Sequence, residues 1–99
     1  MIKININNDL ITVDGHAGYD TKGKDIVCAS VSSIVYTTVN GILNIDKSAI
    51  EFDDNKKLLK IKILDKKSSV VKTLLDNMIT LLEDLESQYP ENLKIRKGD

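Results

Sequence analysis

Apolar and polar residues alternate at the start of the chain. Ile2, Ile4 and Ile6 are interleaved with Lys3, Asn5 and Asn7. A period of two predicts a half-buried strand. Asn8-Asp9 predicts a tight turn. Leu10, Ile11 and Val13 then predict a hairpin partner that ends near Gly15. The next stretch, GHAGYDTKGKD over 15–25, has three glycines and no apolar period, which predicts a loop.

From there the period changes to that of a helix. Asp25 is placed as an N-cap, with Ile26, Val27 and Cys28 as the first turn. Cys28, Val31, Val35, Val39 and Ile42 form one apolar stripe, with Ser30, Ser33, Thr37 and Asn40 opposite. So many β-branched residues disfavour an isolated helix, so tertiary packing must hold this one. Gly41 reads either as a C-terminal cap or as an interior glycine costing about 1 kcal/mol.

A third strand is predicted over 49–52, a turn at Asp53-Asp54-Asn55, and a fourth strand over 58–64 (LLKIKIL). A second helix follows Lys66-Lys67-Ser68-Ser69. Its stripe is Val71, Leu74, Leu75, Met78, Leu82 and Leu85, with Glu83, Asp84 and Glu86 outside. Pro90 stops it, and Leu93–Arg96 reads as a last short strand. The expected fold is α+β, in the order β-β-α-β-β-α-β. It is a two-layer sandwich of about five mainly antiparallel strands with two helices.

Composition narrows the class. With 99 residues, 41% hydrophobic and 29% charged, the chain reads as one globular domain over 1–99. Its 14 basic and 15 acidic residues leave a net charge of -1, so no basic excess points to direct nucleic-acid binding. The pairs Lys56-Lys57 and Lys66-Lys67 read as solvated surface. No apolar run approaches the roughly 20 residues of a membrane span, and Met1–Asn8 lacks a signal pattern. One cysteine forbids an internal disulfide, and one Cys with one His cannot build a zinc site, so no metal or other cofactor is expected. These points lead us to expect a soluble, cytoplasmic protein of a reducing compartment.

The single His and the single Cys bracket the glycine-rich loop, at 16 and 28. Nine residues of extended chain reach about 30 Å, so the loop can fold back and bring His16 to Cys28. A thiolate gains from a helix N-terminus and from an adjacent imidazolium, and the imidazole can serve as base and then acid. First-turn N–H groups can hold an oxyanion. The competing role is structural. Cys28 lies on the apolar stripe, and a reduced cysteine commonly packs as a small hydrophobe. Spacing alone leaves both open.

The segment GHAGYDTKGKDIVCASVS resembles Prp, a family of ribosomal-processing cysteine proteases. The matching positions are Gly15, His16, Ala17, Gly18, Tyr19, Gly23, Asp25, Ile26, Val27, Cys28, Ala29, Val31 and Ser32. Ser30 stands where alanine is common and Asp20 where a small residue is common. Length and element order extend the resemblance over nearly the whole chain. It implies a cysteine endopeptidase in which Cys28 is the nucleophile and His16 the general base. It also implies a substrate: the N-terminal extension of a bacterial large-subunit ribosomal protein, the one numbered twenty-seven. A homodimer is implied as well.

Supporting roles are weaker. Asp25 caps the helix or orients His16, and Asp14 competes for that second role. Ser32, one turn after Cys28, hydrogen-bonds near the site or back to its own helix. Gly15, Gly18, Tyr19 and Gly23 are assigned to a loop that gates the substrate. The alternative from another class is a non-catalytic module that binds a ribosomal protein or an assembling ribosome.

Overall fold

The structure is a computed structural model that describes residues 1–15, 25–55 and 58–98. Seven elements run in the expected order: β1 Ile2–Ile6, β2 Leu10–Asp14, α1 Asp25–Ile45, β3 Ile50–Asn55, β4 Leu58–Ile63, α2 Ser69–Gln88 and β5 Leu93–Lys97. The strands form one sheet in the order β3-β4-β2-β1-β5. Three pairings are antiparallel. The fourth, β1 with β5, is parallel, with Ile4 opposite Ile95.

Alternation decides which sheet face is covered. Ile2 and Ile4, Ile11 and Val13, Leu59 and Ile61, Ile50 and Leu93 all point to one side and are buried. Both helices lay their stripes there: Val27, Val31, Val35, Val39 and Ile42 from α1, and Val71, Leu75, Met78 and Leu82 from α2. The opposite sheet face carries Lys3, Asn5, Thr12, Lys60, Lys62 and Arg96. One face dry and one wet is the usual state of an antiparallel sheet under a single helix layer.

Several local features depart from expectation for identifiable reasons. β3 continues through Asp53, Asp54 and Asn55, which had been expected to form a turn. Register explains it. Glu51 lies opposite Lys62 and Asp53 opposite Lys60, so charge pairs offset the poor strand propensity of Asp on an edge strand. The antiparallel pairing of β3 with β4 runs as far as Asn55 opposite Leu58, and Lys56 and Lys57 lie outside the described residues. Leu64 lies beyond β4 and is exposed. Gly41 is interior, since α1 runs on to Ile45, and nothing lies within 4 Å of where its β-carbon would be.

α1 also corrects the membrane expectation. Residues Ile26–Ile45 have a mean hydropathy of 1.6, long and apolar enough by composition to cross a membrane. Ser, Thr and Asn interrupt the apolar residues of this segment while no charge does, so its mean hydropathy is high without a continuous apolar run. The buried stripe of α1 is part of the protein core.

α2 starts and stops where its residues dictate. Ser68 is the N-cap, its side chain accepting from the Val71 N–H at 3.2 Å. At the far end the Tyr89 N–H donates to Leu85 O at 3.0 Å, and Pro90 follows. The same helix protects an edge of the sheet. Glu86 Oε2 accepts from the outward Ile95 N–H of β5 at 2.8 Å, and Lys97 Nζ lies 2.8 Å from Glu83 Oε2.

Candidate active site

Two elements present the motif. β2 delivers the chain to Gly15, which adopts φ 85°. A β-carbon there would lie 2.7 Å from Met1 O, so both the left-handed backbone and the close approach require glycine. The chain thus turns against the start of β1 immediately before His16. His16, Gly18, Tyr19 and Gly23 lie outside the described residues.

α1 delivers the cysteine. It begins at Asp25 itself, so Asp25 is helical and Cys28 is the fourth helical residue, not the third. A carboxylate suits either the cap or the first turn, so residue type could not separate the two. Cys28 remains in the first turn, where backbone N–H groups lack intrahelical acceptors and the positive end of the helix lies. It sits at the margin of the core. Its exposure is 9%, against 0% for Val31, Val35 and Val39 further along the stripe. It is therefore the most exposed residue of the α1 core stripe.

The supporting candidates separate by position. Ser32 is half-buried, one turn beyond Cys28 on the same side of α1. Ser30, which replaces the common alanine, donates its hydroxyl to Ile26 O at 2.8 Å. That departure is absorbed within the helix. Asp14 pairs with Lys3 and Leu58 across the sheet and is exposed. Val13 points into the core, so Asp14 points to the open sheet face, away from the helix layer that holds Cys28. The side chain of Asp25 lies outside the described residues. Among the described residues, no group of three His, Cys, Asp or Glu side chains could hold a metal ion.

Sequence reasoning missed a groove on the face of α1 that points away from the Cys28 stripe. A groove of about 600 Å³ runs between the first half of α1 and the last half of α2, starting at Ala29, the residue after Cys28. Its only advance signal was the absence of any charged residue from Ile26 to Ile45.

Known proteins share this arrangement. The family model described as cysteine protease Prp matches residues 1–94. The ribosomal processing cysteine protease Prp of Mycoplasma genitalium is 34% identical over 100 residues, covering 98% of this chain and 96% of that one. The Staphylococcus aureus protease of the same name is 31% identical over 87 residues, covering 86% and 82%. The crystal structure of S. aureus Prp with a covalently linked product peptide superposes with a TM-score of 0.87 at 27% identity, over 99% of this chain and 100% of that one. The same protease with a substrate peptide gives a TM-score of 0.90 at 24% identity. The protein is thus an enzyme of the cysteine protease class. More particularly, the chain belongs to the cysteine protease Prp family, whose matched relatives are named ribosomal processing cysteine proteases.

Proposed function

We propose that the enzyme removes the N-terminal extension of the large-subunit ribosomal protein numbered twenty-seven during ribosome maturation, using Cys28 and His16. The observation that carries this reading is the place of Cys28. The chain's one cysteine lies in the first turn of α1 at the edge of the core, in a chain matched to a cysteine protease family from residue 1 to 94.

The chemistry follows from the groups. His16 takes the thiol proton, and the Cys28 thiolate attacks the scissile carbonyl carbon. The carbonyl oxygen becomes an oxyanion, held by first-turn N–H groups of α1. His16 then returns the proton to the leaving amine, and water hydrolyses the acyl-enzyme. Of the two carboxylates near His16 in sequence, Asp25 lies on the helix that holds Cys28 and Asp14 faces away from it. Asp25 is therefore the better candidate to orient His16. Ser32 supports the site from the next turn, and Gly18, Tyr19 and Gly23 belong to a loop that closes over the peptide. The enzyme acts as a cytoplasmic homodimer.

Thiol reactivity tests the pairing. Cys28 of the native enzyme should react with iodoacetamide quickly near neutral pH, and His16→Ala should slow it at least tenfold. Equal rates in both proteins contradict the pairing.

A further inference from the structure

The open face of the sheet carries a charge pattern that the net charge of -1 hides. Register lays its outward side chains in rows across the strands. Lys94 of β5 lies opposite Lys3 of β1, and Lys3 opposite Asp14 of β2. In the next row Arg96 lies opposite Asn5, Asn5 opposite Thr12, and Thr12 opposite Lys60 of β4. In the third, Leu10 lies opposite Lys62. Lys3, Lys60, Lys62, Lys94 and Arg96 are all exposed, and none makes an ion pair among the described residues. The acidic residues of this face stand at its margins: Glu51 and Asp53 on the edge strand β3, and Asp14 at the end nearest Gly15. The helix layer has the opposite sign. From Thr73 to Leu93 there are five acidic residues and no basic one.

The basic residues form two banks. Lys3, Lys94 and Arg96 bound one side, Lys60 and Lys62 the other, and uncharged Asn5 and Thr12 lie between. With strands about 4.8 Å apart, Arg96 and Lys60 stand roughly 14 Å from each other at the backbone. We propose that this face binds duplex RNA across its minor groove. The two banks meet the two phosphate backbones, and Asn5 and Thr12 meet the 2′-hydroxyls between them. Charge complementarity calls for a polyanion. The bank spacing then chooses which one. A-form RNA has a wide, shallow minor groove that displays its 2′-hydroxyls, whereas the minor groove of B-DNA is only about 6 Å wide. Single strands are held by bases stacked on aromatic side chains. Among the described residues this face has none, since Tyr36, Phe52 and Tyr89 pack against the core on the helix side. The proposal goes beyond the protease reading and stands apart from it, because the face lies on the side of the sheet away from α1 and Cys28.

Fluorescence anisotropy tests it. The probes are a labelled RNA duplex of about 16 base pairs, the DNA duplex of the same sequence and the single RNA strand, titrated at about 50 to 200 mM salt. Wild type should bind the RNA duplex about tenfold more tightly than either other probe, with a log–log salt slope of about −3 to −4. The double variant Lys3→Glu, Arg96→Glu should weaken duplex binding at least tenfold and reduce the slope by about 2. The double variant Lys66→Glu, Lys72→Glu makes the same charge change beside α2 and should leave binding and slope as in wild type. Asn5→Ala should bring the affinity for RNA toward that for DNA with the slope unchanged. All three variants should melt and cleave a junction peptide as wild type does. No duplex binding by wild type, equal affinity for RNA and DNA duplexes, or an equal loss in the two double variants overturns the proposal. So does binding to vesicles of anionic lipid with none to RNA, which would assign the face to a membrane. None of these results alters the protease reading, which the reactivity of Cys28 decides.

Discussion

The carbonyl oxygen of Met1 lies 2.7 Å from the point where a β-carbon on Gly15 would sit. This fixes the exit of β2 against the entry of β1, one residue before His16. Gly15→Ala meets two obstacles, a backbone at φ 85° and a clash with main chain that cannot swing aside. It should lower stability by about 1–2 kcal/mol. It should reduce peptide cleavage by more than that loss explains, because His16 follows directly. Chemical denaturation and cleavage rates measured on one preparation check this.

Tyr36 links α1 to the edge strand β3. Its ring meets Phe52 edge-on at 5.6 Å, and its hydroxyl hydrogen-bonds Asp54. Burial, followed by the Asp54 hydrogen bond and charge, pushes its pKa from 10.0 up to about 12. A raised folded-state pKa contributes stability that is complete below pH 10 and is lost as pH rises toward 12. Tyr36→Phe should therefore be about 1 kcal/mol less stable than wild type near neutrality. The gap between the two should close between pH 10 and 12. Parallel urea titrations at several pH values measure it.

Gly41 offers the opposite outcome. It is interior to α1 with open space around its missing β-carbon, so Gly41→Ala gains helix propensity without a clash. The variant should be about 0.5–1 kcal/mol more stable, a rise in Tm of roughly 2–8 °C for a chain of this size. Calorimetry reads the shift directly.

The periodicities carried most of the fold because each buried stripe obeys one period. Ile2 and Ile4 alternate, and Val31, Val35 and Val39 recur at helical spacing. The extension of β3 through Asp53 was not legible, because its support comes from Lys60 on another strand. The parallel pairing of β5 with β1 was likewise hidden, since it depends on where α2 returns the chain. In the site, the motif pointed to Cys28, and the structure added its position at the core margin. That Asp14 faces away from Cys28 needed the sheet, because side-chain alternation assigns a face only once the covered face is known. The groove at Ala29 was not legible, as it exists only between two helices about fifty residues apart in sequence.

The central claim is that one Cys–His pair performs the cleavage. The direct measurement is the mass of the full-length precursor of ribosomal protein twenty-seven after incubation with wild type, Cys28→Ala or His16→Ala, each shown by thermal melting to be folded. Wild type should remove the N-terminal segment, and both variants should leave the precursor intact. Cleavage retained in either folded variant would contradict the account.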